Sequence, residues 1–149
     1  MYRNNTKNDT DLIIGIDPDL DKSGVAVKSK NDMRLLNLNF VELKALIENE
    51  CAVIKKVVVE AGWLNEKANF HYRPNQTKSA GERIAKNVGE NHATGKLITQ
   101  LIESMGIPVQ LVKPTRSKLS SDDFKRITGW SKRSNQEQRD AAMLIWGMW

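Results

Sequence analysis

Two acidic side chains stand where a globular chain has little use for them. Ile13-Ile14-Gly15-Ile16-Asp17 and Val57-Val58-Val59-Glu60 each read as a buried strand ending in a carboxylate. A third acidic element, Glu137-x-x-Asp140, opens an apolar helix further along. Burying unpaired carboxylates is unfavourable. Clustering them is worse unless a divalent cation holds them together. Four hard oxygen donors suit Mg2+ or Mn2+ and not zinc. Two such ions about 4 Å apart can activate a water and stabilise a leaving oxygen in phosphodiester hydrolysis.

Each acid also has an ordinary reading. Asp17 before Pro18 can simply start a turn. Glu60 can be a surface acid at a strand end. Ser134-x-x-Glu137 reads as a capping box, and an acid suits a first helical turn. Asp140 resists such a reading, because Ala141, Leu144, Ile145 and Met148 share its helical face. Asp19 fits a turn residue better than an extra ligand.

The elements that must carry these acids follow from periodicity. Strands are predicted over 12–17, 25–27, 33–38, 56–61 and 107–112. Helical spacing is predicted over 40–50, over 79–105 with a break near Gly89 or Gly95, over 121–128 with Ser121 as N-cap, and over 135–148. A long connection, 62–78, holds Trp63, Phe70, His71, Tyr72, Arg73 and Pro74. Three meander strands followed by alternating helix and strand predict an α/β fold, a mixed five-stranded sheet with helices on both faces. In such sheets ligands bind beyond the carboxyl ends of the strands, where Asp17 and Glu60 lie.

Composition narrows the class. The 149 residues suit one domain, 11–149, preceded by a polar tail, 1–10. The net charge of +5 favours a polyanion as partner, nucleic acid first. The single cysteine, Cys51, excludes an intramolecular disulfide, suits a reducing cytoplasm and reads as a small buried hydrophobe. No apolar run approaches membrane-spanning length, and the first residues lack the apolar core of a signal peptide.

At these residues the chain resembles the RuvC-type Holliday junction resolvases within the RNase H-like nucleases, above all their compact phage or prophage versions. The resemblance is carried by Ile14-Gly15-Ile16-Asp17-Pro18 with Ser23-Gly24, by Val59-Glu60-x-x-Trp63, and by Glu137-x-x-Asp140-Ala141-Ala142. It implies an RNase H-like sheet and a homodimer that acts in DNA recombination and repair, cutting branched DNA with two Mg2+ or Mn2+ ions. Asp17 would bind both metals, Glu60 would be the second ligand, and Asp140 would complete the site. Glu137 stands where the family usually has His or Asp. A glutamate can ligate a metal but cannot be a neutral imidazole base. Asp19 is a second departure, where the family often has Gly.

The surface readings complete the picture. Trp63 either stacks on a splayed base, as an aromatic there often does in the family, or packs in the core. Tyr72 and Arg73 mix aromatic and cationic character. Lys78, Arg83, Lys86 and Asn87 form one basic stretch, and Lys113, Arg116 and Lys118 another. Lys125, Arg126, Lys132, Arg133 and Arg139 follow. Such groups contact phosphates and set register, although any one alone reads as a solvated charge. Two other functions share these residues: an RNase H-like nuclease acting on RNA or a hybrid, and a non-catalytic DNA-binding module of the same fold.

Overall fold

A computed structural model describes residues 9–65, 77–115 and 117–148. Five strands form one sheet in the order β3-β2-β1-β4-β5. They are β1 (Leu12–Asp17), β2 (Ser23–Lys28), β3 (Met33–Leu38), β4 (Ile54–Glu60) and β5 (Val109–Val112). β1 to β3 form the antiparallel meander, and β4 and β5 then run parallel to β1. The helices are α1 (Phe40–Glu50), α2 (Lys78–Ser104), α3 (Ser121–Thr128) and α4 (Gln136–Ile145). The expected mixed sheet is therefore the one observed.

The central strands are apolar because both of their faces are covered. Ile14, Ile16, Val57 and Val59 join Leu43 and Ile47 of α1 and Ile98 and Ile102 of α2 in one core. Ile13 and Val58 point the other way, into a second core with Phe124 of α3 and Ala141, Ala142 and Ile145 of α4. Side chains alternate along a strand. Asp17 therefore follows Ile13 and Gly15 onto the α4 side, and Glu60 follows Val58 there.

α4 can lie this close to the sheet only because the strands beneath it are stripped of side chains. A Cβ on Gly15 would overlap the Ala141 carbonyl, and one on Gly24 would overlap the Glu137 backbone. These glycines are required for close approach between backbones.

Several local expectations change. α2 runs unbroken through Gly89 and Gly95. A glycine in a helix costs only about 1 kcal/mol, and Ile98, Thr99 and Ile102 anchor the helix by burial. Cys51 is exposed just past α1, not buried. The N-cap of α3 is Ser120, whose side chain accepts from the Asp123 N–H, so Ser121 is the first helical residue. α4 is capped by Asn135 and Gln138, not by Ser134 and Glu137. No helix among the described residues is long and apolar enough to cross a membrane.

Candidate metal centre

The register brings the strand-end acids together. Gly15 pairs with Val58 and Ile16 with Val59, so the next residues along, Asp17 and Glu60, stand side by side. Asp140 reaches them from the first turns of α4. Asp17, Glu60 and Asp140 each offer a carboxylate oxygen within 4.8 Å of the others, and each is half-buried. Glu137 is exposed one helical turn before Asp140 and lies outside that triad. Its charge still adds to the potential at Asp17. The corrected cap matters here, because Gln138 and not Glu137 closes the capping box.

The electrostatics are those of a crowded acid cluster. The Asp17 carboxyl is pushed up to about 8, first by burial, then by Glu60 and Asp140. Glu60 is raised too, again chiefly by burial. Lys118 supplies the counter-charge. Its ammonium donates to Asp140 Oδ2, and its charge lowers both Asp17 and Glu60. Burial alone would lower Lys118, but the hydrogen bond from it to Asp140 and the three negative charges raise it overall. Gln136 Nε2 donates to Asp140 Oδ1 at 2.8 Å and fixes the carboxylate from the other side. Hard oxygen donors this close, compensated by one lysine, match the preferences of Mg2+ or Mn2+.

Lys118, expected on the DNA surface with Lys113, is exposed and also reaches the acid cluster. Arg139 also turns inward. Its guanidinium donates to the Leu119 carbonyl at 2.9 Å, to the Ser134 carbonyl at 2.8 Å and to Gln136 Oε1 at 3.2 Å. It ties the segments before α3 and before α4 to the helix that bears Asp140. Asp19 is a turn residue: its Oδ1 accepts from the Asp21 N–H at 2.9 Å.

Trp63 is half-buried and packs against the core. It lies over Gly95, where a Cβ would come within 2.5 Å of its ring. Lys78 and Lys86 are exposed on α2 and pair with Glu82 and Glu90 at 3.9 and 3.7 Å. Such exposed pairs are weak. Arg83 and Asn87 are exposed on the same helix. Tyr72, Arg73 and Arg116 lie outside the described residues.

Two residues went unnoticed in the sequence. Asn91 and His92 line a cavity of about 180 Å3 with Asp17, Glu60, Trp63 and Val88. The His92 ring meets Trp63 edge-on at 6.4 Å, and burial followed by Lys96 lowers its pKa. The available signal was helical spacing: Asn91 lies one turn beyond Asn87.

This geometry can be set beside known proteins. No family model matches the chain, and no curated protein sequence does. Among solved structures, Thermus thermophilus RuvC in complex with a Holliday junction substrate matches at a TM-score of 0.54 and 16% identity, over 90% of this chain and 89% of that one. Thermus thermophilus RuvC alone matches at 0.50 and 16%, over 89% and 90%. The fold is that of RuvC. The match spans about nine-tenths of the chain.

Proposed function

We propose that this chain is a metal-dependent endonuclease that cuts phosphodiesters in branched DNA, such as four-way Holliday junctions, as a homodimer. The observation that carries the reading is the convergence of Asp17, Glu60 and Asp140 within 4.8 Å on a RuvC-type sheet. Asp17, Glu60 and Asp140 would hold two Mg2+ or Mn2+ ions, and Glu137 would be a further ligand. Bound there, such ions supply an activated water and neutralise charge on the leaving oxygen.

The chain's own groups do the rest. The rigid strands β1 and β4 fix the carboxylates, and α4 presses Asp140 onto them. The Lys118 ammonium balances the acids and, with metal bound, would be free to contact a backbone phosphate. The expected phosphate contacts are Lys113, Arg116, Lys78, Arg83, Lys86 and Asn87, and the expected base contacts are Tyr72, Arg73 and the exposed part of Trp63. The net charge of +5 supports a polyanionic substrate.

The test is a labelled four-way junction incubated with the protein and Mg2+. Cleavage that is lost by at least a hundredfold in Asp17→Asn and Glu60→Gln supports the reading. No cleavage by the native protein, or undiminished cleavage by Asp17→Asn, overturns it.

A further inference from the structure

A larger hollow adjoins the metal centre on the side away from α2. It measures about 340 Å3, within the range of small-ligand sites, roughly 300–1,000 Å3. Glu60 and Asp140 stand at one end. The rest of its wall is largely apolar: Val112 at the end of β5, Met143 and Leu144 on α4, and Met148 just beyond that helix. These side chains are only partly buried, resting on the second core with one side uncovered. The exposed residues Gln110, Lys113, Thr115, Ser117 and Lys118 form the rim.

Metal ions have no use for such a wall, and neither does a phosphate. A nucleobase does. A phosphate seated at the carboxylates leaves the base of the adjoining nucleotide a few ångströms away, within reach of this hollow. The rim lysines complement the backbone that must pass over the opening. Thioether side chains adapt to the outline of a flat ring and contact its face favourably. Stacking against an apolar wall tolerates any base, because every base has a π-face. The Thr115 and Ser117 hydroxyls can donate to or accept from a base edge.

We infer that this hollow receives one unstacked nucleobase from the strand whose phosphate lies at the acid cluster. The inference rests on the endonuclease reading and adds a subsite to it. A base in regular duplex must be unstacked to enter, which is unfavourable there and much less so at a branch. The hollow therefore ties cutting to the branch point, in addition to any shape recognition by the lysines.

The test places 2-aminopurine, one position at a time, at the nucleotides flanking the mapped cut. The native protein binds each junction with Ca2+ in place of Mg2+, so that the DNA stays intact. A fluorescence rise of threefold or more at one flanking position is expected, and it disappears in Met148→Lys, which sets a charge in the hollow. Mn2+ binding by Met148→Lys, followed by calorimetry, stays within twofold of the native protein. If the junction is bound and cut but no flanking position brightens in the native protein, the subsite is wrong and the endonuclease reading stands. An unchanged rise in Met148→Lys places the base elsewhere and also overturns the subsite. A junction that is neither bound nor cut overturns both.

Discussion

Removing a carboxylate from the acid cluster should stabilise the metal-free protein. The Asp17 carboxyl sits at about 8 instead of its usual 3.8, owing to burial first and then to Glu60 and Asp140. An acid whose pKa is higher in the folded state binds more protons when folded. Its contribution to stability is therefore full below about 3.8 and is lost progressively as pH rises toward 8. Between 3.8 and neutral pH the loss spans about three pH steps at roughly 1.4 kcal/mol each. That is on the order of 4 kcal/mol, an upper bound because water reaching a half-buried carboxylate screens it.

Asp17→Asn preserves the shape and removes the charge. In chelator at pH 7 it should gain about 2–4 kcal/mol, or roughly 5–15 °C in Tm for a chain of this size. The assay is thermal unfolding by circular dichroism of both proteins at several pH values. Other carboxylates titrate in both, so the difference between the two curves isolates Asp17. The gap should close near pH 4 and widen toward pH 8. Saturating Mn2+ should reverse the order at pH 7, since a ligand that binds only the folded state stabilises it by mass action. An Asp17→Asn variant that melts at or below the native protein in chelator at pH 7, or a gap independent of pH, would refute the reasoning.

Other perturbations probe the supporting structure. Lys118→Met removes the cation that competes for Asp140, so Mn2+ affinity without DNA should rise on the order of tenfold, or about 1.4 kcal/mol; calorimetry showing unchanged or weaker binding contradicts this. Gly24→Ala drives a Cβ into the Glu137 backbone, which cannot give way as a flexible side chain would, so urea unfolding should show a loss of at least about 3 kcal/mol. Gly95→Ala presses on the Trp63 ring and on Pro18 Cγ, 3.1 Å away; about 1–3 kcal/mol should be lost, with a changed near-ultraviolet dichroism that reports the displaced indole. Arg139→Lys keeps the charge but cannot span the Leu119, Ser134 and Gln136 acceptors, so Mn2+ affinity should fall severalfold while the far-ultraviolet spectrum is retained.

Much of the framework was legible because local signals and burial agree. The apolar runs ending in Asp17 and Glu60 are strands that need cover on both faces, and α1 and α2 supply one cover, α3 and α4 the other. The triad was legible for the same reason, as acids at strand ends and at the head of an apolar stripe. The misreadings arise where neighbours compete. Ser134 and Asn135 can both cap a helix, and Glu137 and Gln138 can both close the box; Asn135 with Gln138 wins, which leaves Glu137 outside the cap. Gly89 and Gly95 look like breaks, yet burial further along α2 outweighs them, and Gly95 instead makes room for Trp63. Lys118 looked like one more cation in a basic loop. Only the tertiary fold brings it to Asp140 across 22 residues of sequence, and no local pattern announces that.

The central claim is that Asp17, Glu60 and Asp140 form a divalent metal centre. A crystal soaked in Mn2+ and measured at the manganese absorption edge tests it most directly. Expected is strong anomalous density among the three carboxylates, at roughly 2.0–2.3 Å from their oxygens, with the Lys118 ammonium moved off Asp140. A soaked crystal with no anomalous peak there, and with Lys118 still bound to Asp140, would contradict it.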